Sequence, residues 1–582
     1  MIILQPWLRL SFVAGLCLLV PYAAQASSYS GAYLAARHAS ADNNAAQAAY
    51  YYLKALSFQK KDQTEQNRLR EQAVYHLLIA GDVAAATESA KILIQTDPTN
   101  RIANLVCLSD DFRTEKFAAA KKRLEQTNHV IANQMMQKLL LAWAEYGIDG
   151  VAVASKTLAI SNNPQTSNLL ENYHLGLIAS LGPDSALATK AFSKAITSGV
   201  TTPRLAEAFG LFLEKNGKTD QARTLYKQAL ISNPDEAALL AGLERTSGKG
   251  KAPPKLLVQN STEGAAEVMF DIANILAQNQ DYRLSLIYAQ LAGAIHPNFP
   301  EAFALTGALY ESLGLTPDAL LAYDKIMPGS PLYVTGQIGR ASALSQLDRP
   351  SEALTSLQRL QTQYPQNPRV LRAYADMLIH YDKFEQAIPT YDHLISLVKN
   401  KDPNQWRVYF NRAVAWHRSN QWAKAEVDLR TALDLDASQA SVWNYLGYSL
   451  IERHEKLPEA KAMIIRAATL RPTDGYIIDS LGWAHYKLGE YTQAVERLEQ
   501  AVELNPEEVI INDHLGDAFW KIGHLNEAFF QWRRALSLNP TPEDKTRIEQ
   551  KIQMSVEQPA SDFLSPSIPK LQSSANKKPT DG

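Results

Sequence analysis

The residues best suited to chemistry in this sequence are a Gly- and Lys-rich segment and twelve histidines. The segment GLERTSGKGK, residues 242–251, has some features of a phosphate-binding loop, in which backbone N–H groups surround the phosphate and a lysine reaches it. Its spacing is wrong, because five residues instead of four precede Gly248-Lys249. No Ser or Thr follows Lys249, and a helical pattern precedes the segment where a strand is required. We therefore expect no nucleotide site here.

The histidines show no catalytic or metal-binding spacing. The two nearest in sequence, His514 and His524, are ten residues apart, and no His-Glu-x-x-His motif or G-x-S-x-G nucleophile motif occurs. Asp and Glu follow the solvated faces of the predicted helices. We predict a protein that is not an enzyme, with no catalytic residues, no metal site and no cofactor.

Composition excludes some partners and leaves others open. The chain has 582 residues, a formal charge of −2, 46% hydrophobic and 20% charged residues. Such a length favours several domains or an elongated array. A nearly neutral chain lacks the broad basic field of a nucleic-acid binder, so we expect no nucleic-acid partner.

The first 26 residues predict an export signal. Arg9 precedes an apolar run, residues 10–20, that is too short to span a bilayer, and Ala24 and Ala26 form a cleavage motif before Ser27. An uncleaved N-terminal anchor is the alternative. Leu16 before Cys17 argues against lipidation, so outer-membrane association has no motif to support it. We expect a periplasmic protein without a transmembrane segment after cleavage, in which Cys107 is a buried packing residue.

The elements that must position any site follow a repeat of 34 residues. Leu481-Gly482, Ala494, Ala501 and Pro506 recur 34 residues later as Leu515-Gly516, Ala528, Ala535 and Pro540. Small residues allow two antiparallel helices to cross closely, and proline ends the second helix. We expect Gly482 to face Ala494, and Gly516 to face Ala528.

This pattern resembles that of tetratricopeptide repeat (TPR) proteins. The resemblance implies an all-α solenoid of helical hairpins, wound as a right-handed superhelix. The small residue that opens each second helix marks about fourteen repeats: Ala48, Ala86, Ala120, Ala154, Ala188, Ala222, Ser285, Ala319, Ala353, Ala387, Ala425, Ala460, Ala494 and Ala528.

A gap in this series predicts the domain organisation. Ser285 lies 63 residues after Ala222, and the extra residues include a short helix at 237–245 and a segment rich in Gly, Pro, Ser and Lys. We predict a first block of about six repeats and a second block of about eight, joined by a linker. The predicted boundaries are residues 1–26 for the signal, 27–245 for the first block, 246–264 for the linker, 265–550 for the second block and 551–582 for a disordered tail.

The resemblance also implies which side chains line the concave face, namely repeat positions 2, 5, 9, 12 and 13. In the first block this register selects an apolar surface that includes Leu105, Phe112, Leu139, Trp143, Tyr146, Tyr173 and Leu177. An exposed surface of this kind normally binds a partner. The alternative is that the block buries this face against itself or against the segment KLLVQN, residues 255–260.

In the second block the register selects basic residues first, and aromatic and acidic residues later. The predicted groove residues are Arg369, Arg372, Arg407, Arg418, Asn444, Tyr448, Tyr476, Asp479, Trp483, Tyr486, Lys487, Asp513, Asp517, Trp520 and Lys521. Aromatic anchors beside charges suit an extended peptide or a partner helix.

We therefore predict a binding scaffold or adaptor of the bacterial cell envelope whose partners are other proteins. The last repeats resemble those of exported bacterial TPR proteins, some of which present substrates to carboxyl-terminal processing proteases. That adaptor role is one alternative. A second is glycan or peptidoglycan binding, because stacked Trp and Tyr rings also suit sugars. The partner and the oligomeric state are not readable from the residues.

Overall fold

The computed structural model describes residues 28–59, 61–127, 134–159, 169–197, 201–248, 255–397 and 405–557, without the side chains of 555–557. These residues form thirty α-helices and no strand, which confirms the predicted all-α fold. The predicted signal, residues 1–26, lies outside them. Most of the predicted tail also lies outside them. The tail was predicted to begin at residue 551, but the last helix continues to Glu557.

The described chain divides into two compact units, an N-terminal unit ending at Met377 and a C-terminal unit beginning at Leu378. The helices up to this boundary are α1 Tyr29–Ala41, α2 Ala45–Phe58, α3 Gln63–Ile79, α4 Val83–Thr96, α5 Arg101–Arg113, α6 Phe117–Thr127, α7 Gln134–Asp149, α8 Val151–Ala159, α9 Leu169–Ser180, α10 Ser185–Thr197, α11 Pro203–Lys215, α12 Thr219–Ser232, α13 Ala237–Thr246, α14 Ser261–Gln278, α15 Tyr282–Ile295, α16 Pro300–Ser312, α17 Thr316–Tyr323, α18 Tyr333–Gln346, α19 Pro350–Gln363 and α20 Pro368–His380.

The boundary falls inside α20. The helices that follow are α21 Phe384–Leu397, α22 Trp406–Arg418, α23 Trp422–Leu435, α24 Ala440–Glu452, α25 Leu457–Leu470, α26 Gly475–Lys487, α27 Tyr491–Leu504, α28 Val509–Lys521, α29 Leu525–Ser537 and α30 Pro542–Glu557.

Within each unit, most consecutive helices pair as antiparallel hairpins. The unit boundary separates α20 from α21, so these two are described only as single helices. Each of the fourteen small residues that mark the repeats lies near the start of a hairpin's second helix, and each has 0% of its surface exposed. A larger side chain at these positions would hold the two helices apart. Two further helices follow a completed hairpin, namely α13, close to the short helix predicted for residues 237–245, and α30.

The small glycines of the last repeats contact side chains other than those predicted. A Cβ atom added at Gly482 would lie 2.6 Å from Leu498, and one at Gly516 would lie 2.5 Å from Trp532. Ala494 and Ala528 are therefore not the nearest neighbours. The larger residue one turn further along the second helix fills the space that each glycine leaves.

Candidate functional site

The predicted concave face of the third to sixth hairpins holds a helix of the same chain. A Cβ atom added at Gly264, in the first turn of α14, would lie 2.2 Å from the Trp143 indole on α7. Two hydroxyls of that turn also donate hydrogen bonds to backbone carbonyls of the array, Ser261 to Trp143 and Thr262 to Phe112. The start of α14 is thus seated between α5 and α7.

The predicted apolar residues of the first block are consequently inaccessible. Tyr146 is half-buried, and the others are at most 5% exposed, namely Leu105, Phe112, Leu139, Trp143, Tyr173 and Leu177. Leu256 and Val258, from the segment KLLVQN, belong to the same apolar core. The sequence left open whether a partner or the chain itself covers this face. In the structure the chain itself covers it.

Charged and polar side chains join the middle of α14 to the array. Arg204 on α11 forms a bidentate pair with Glu267 on α14, with both N–O distances 2.8 Å. The Tyr173 hydroxyl donates to Oε1 of the same carboxylate at 2.9 Å, the oxygen that also accepts from Arg204 Nε. Arg204 also reaches Glu301 on α16 at 2.6 Å. Glu267 is almost fully buried, so these pairs offset the free-energy cost of removing its charge from water.

His174 completes the polar layer beneath α14. Its Nδ1 accepts a hydrogen bond from the Trp143 indole at 2.9 Å, and its Nε2 lies 3.0 Å from Asp271 on α14. The indole can only donate, so Nδ1 is the unprotonated nitrogen and Nε2–H points at the carboxylate. Repeat spacing did not reveal these partners of α14, although Gly264, Glu267 and Asp271 lie on one face of its helical pattern.

Cys107 lies in the same core, as predicted for a packing residue. It is 2% exposed, and burial raises the pKa of its thiol to about 11. A thiol that stays protonated near neutral pH is a poor nucleophile.

In the C-terminal unit the first helices of successive hairpins, α22, α24, α26 and α28, present the predicted groove residues. Side chains connect each helix to the next. The His417 Nδ1 atom lies 2.9 Å from the Tyr445 hydroxyl, the Tyr476 hydroxyl donates to Glu508, and His514 Nδ1 lies 2.9 Å from Asp479. Arg369 and Arg372 precede the unit boundary on α20, in the N-terminal unit.

The basic part of this groove is open. Arg407 and Arg418 on α22 are exposed, Arg407 over the Trp406 ring and Arg418 over the Phe384 ring. Within the described residues, the shortest ion pair of Arg418 is 3.8 Å, to Asp382. Asn444 on α24 is buried, with no hydrogen-bond partner for its side-chain oxygen in the described part of the chain.

The aromatic part is a stack of three rings. The Trp483 indole lies parallel to the Tyr486 ring at 4.6 Å and to the His514 ring at 3.9 Å between centroids. Both rings therefore stack on the indole. The Trp483 N–H donates to Glu452 at 2.6 Å, and Lys487 lies 3.4 Å from the same carboxylate. Trp520 is packed against Phe529 and Trp532.

The acidic part is covered by α30. Asp513 and Asp517 pair with Arg547 and Lys551, and Lys521 remains exposed at the end of α28. Between the basic and acidic parts lies a small cleft of two tyrosines, two carboxylates and apolar side chains. It is lined by Tyr448, Tyr476, Asp479, Ser480, Glu508, Ile510, Ile511 and His514.

The described residues contain neither a cluster of metal ligands nor a membrane-spanning helix. No group of three or more His, Cys, Asp or Glu side chains there is placed to hold a metal ion. Among the helices of the same residues, none is long and apolar enough to cross a membrane. The predicted absence of metal, cofactor and catalysis stays a prediction.

Comparison with known proteins agrees with the hairpin geometry. A family model described as TPR repeat matches residues 482–523. The TPR repeat-containing protein PA4667 of Pseudomonas aeruginosa is 27% identical over 197 residues. The chain contains tetratricopeptide repeats. The match to that relative covers 34% of this TPR chain and 32% of the relative's length.

Solved structures of other repeat proteins are also similar to this TPR chain. One is the APC/C hetero-tetramer Cut9–Hcn1, at 14% identity and a TM-score of 0.37, covering 78% of this chain and 96% of that one. Another is YrrB, described as a TPR protein with an unusual peptide-binding site, at 15% identity and a TM-score of 0.27, covering 33% and 97%. Repeat arrays of this kind serve protein–protein interaction through their concave surfaces.

Proposed function

We propose that this TPR protein is a non-enzymatic scaffold or adaptor that binds other proteins in the concave groove of its C-terminal unit. The observation that carries the proposal is the difference between the two grooves. The N-terminal groove is filled by α14, whereas on α22, α24 and α26 Arg407 and Arg418 are exposed and Tyr448, Tyr476 and Lys487 are half-buried.

The chemistry of the accessible groove suits an extended peptide or a partner helix. Tyr448 and Tyr476 flank a small cleft, and their flat rings lose little conformational entropy on binding. Exposed Arg407 and Arg418 offer bidentate partners for carboxylates at the other end. Charges at both ends of an aromatic cleft fix the register of a bound chain.

The ring stack favours a peptide over a glycan. A sugar ring needs an open aromatic face, and the Trp483 indole is already stacked with Tyr486 and His514. Trp520 likewise packs against Phe529 and Trp532.

We further propose that the protein acts in the cell envelope after export. The support is the apolar run of residues 10–20 and the cleavage motif before Ser27. An adaptor for a carboxyl-terminal processing protease is the specific form of this role that the last repeats suggest by resemblance.

The test is affinity purification of the full chain from intact envelopes, followed by binding assays with each purified candidate. Arg407→Glu and Tyr476→Ala should weaken binding of the true partner by about tenfold or more, as expected for groove anchors. Arg466→Glu is the matched control, because Arg466 is exposed on the second helix α25. Equal affinity for all three variants and the wild-type chain would place the partner elsewhere.

A further inference from the structure

The last helix, α30, is held differently from the hairpins before it. It has no antiparallel partner, and Ile548 is its one buried residue within 542–554, with Ile552 half-buried beside the last hairpin. Its other side chains in that range are exposed or half-exposed. By contrast, α28, whose carboxylates α30 covers, buries most of its residues. α30 therefore buries little apolar surface, and little free energy from apolar packing opposes its release.

Two cations of α30 hold it against the groove. Lys551 Nζ lies 2.8 Å from Asp513 Oδ1 and 2.7 Å from Asp517 Oδ2, and Arg547 Nη2 lies 3.0 Å from Asp513 Oδ2. Arg547 and Lys551 are four residues apart, so both project from one face of the helix. Asp513 and Asp517 occupy the register positions predicted for a ligand.

These carboxylates need cations. The Asp513 side chain is 1% exposed beneath α30. Burial raises the pKa of Asp517, Lys551 opposes that rise, and the charge of Asp513 adds to it. His514 is already paired with Asp479, so among the described residues Arg547 and Lys551 are the side chains that form ion pairs with Asp513 and Asp517. Releasing α30 would leave the carboxylates of Asp513 and Asp517 without their cations, at the end of a groove that also contains Glu508.

We propose that α30 is a displaceable internal ligand of the C-terminal groove, and that the partner displacing it presents two cations one helical turn apart. The proposal rests on the proposed function, because it names the partner class for the same groove. α30 itself shows the geometry: an Arg and a Lys at positions i and i+4 span Asp513 and Asp517. Such a partner is a basic protein segment that enters as a helix.

Because an attached helix competes at a high effective concentration, α30 would weaken every basic ligand until it is released. The competition would also depend on salt, since the pairs formed by Arg547 are partly exposed.

The test uses a labelled peptide with the sequence of residues 541–557 and fluorescence anisotropy with the full chain. Arg547→Ala/Lys551→Ala in the protein should strengthen peptide binding by about tenfold or more, since the internal competitor is weakened. Lys545→Ala is the matched control on the same helix, because Lys545 pairs with Glu549 and not with the groove. Asp517→Asn added to the double variant should reverse the gain, and circular dichroism should show that each variant is folded.

Three outcomes would overturn the proposal. These are no peptide binding to any variant, equal binding to the wild-type chain and the double variant, or binding that Asp517→Asn leaves unchanged. None of them touches the proposed function, which fails separately if Arg407→Glu and Tyr476→Ala leave partner binding intact.

Discussion

Gly264 is the residue that allows α14 to enter the N-terminal groove. Any side chain there would overlap the Trp143 indole, which has 0% of its surface exposed and cannot move outward. We expect Gly264→Ala to lower the free energy of unfolding of the N-terminal unit by about 1–3 kcal/mol, as overpacking of a core does. Gln278→Ala, at the exposed end of the same helix, should change it by less than about 0.5 kcal/mol in the same denaturant titration.

Arg204 should stabilise the N-terminal unit by pairing with the buried carboxylate of Glu267. Arg204→Met would leave Glu267 buried without its cation, and removing one partner of such a pair typically costs about 3–5 kcal/mol. Adding Glu267→Gln should recover part of that loss, because the most deeply buried of the carboxylates that Arg204 contacts is then neutral. The double-mutant cycle is measured by urea unfolding, and simple additivity of the two substitutions would contradict the pairing.

His514 should make the C-terminal unit sensitive to pH. Burial disfavours its charged form, but Asp479, with smaller effects from Asp513 and Asp517, outweighs burial and raises the pKa of His514 above its ordinary value. The protonated His514 side chain contributes its full stabilisation below the unfolded-state pKa of about 6.5. That contribution to the free energy of unfolding is lost as pH rises through the folded-state pKa.

We therefore expect the melting temperature of the C-terminal transition to fall as pH rises above about 6.5. His514→Asn should flatten that dependence, whereas His524→Asn should not, because His524 is exposed and lies 4.0 Å from Glu527. A slope unchanged by His514→Asn would show that the pair does not hold a proton in the folded state.

At the scale of elements, α14 is a structural part of the N-terminal array. A fragment of residues 27–248 would expose Leu139, Trp143 and their neighbours, which the intact chain buries. We expect that fragment to bind a hydrophobic dye and to self-associate, and co-expression with residues 255–377 to yield a soluble complex. A monomeric fragment with a cooperative melt of its own would contradict this role of α14.

The sequence predicted the hairpins well because their determinants are local. The fourteen marker residues report the crossing of two helices within one repeat, and each is fully buried as expected. The predicted division at residues 246–264 stays a prediction, since residues 249–254 lie outside the described chain.

Contacts between distant repeats could not be predicted in the same way. Trp143 meets Gly264 across more than a hundred residues, and a 34-residue period carries no information about which groove a later helix enters. The same limit applies to Asp513 and Asp517. Their register position was predictable, but their pairing with α30 was not, because α30 lies outside the repeat.

At the scale of the whole molecule, the central claim is that one groove is filled by the chain itself and the other binds a partner. Site-specific photo-crosslinking in intact cells tests it, with the crosslinker placed in turn at Tyr146, Tyr476 and Arg466. We predict that Tyr146 labels α14 of its own chain, that Tyr476 labels one identified partner protein, and that Arg466 does not label that partner. Capture of the partner from Tyr146, or from Arg466 as readily as from Tyr476, would contradict the account.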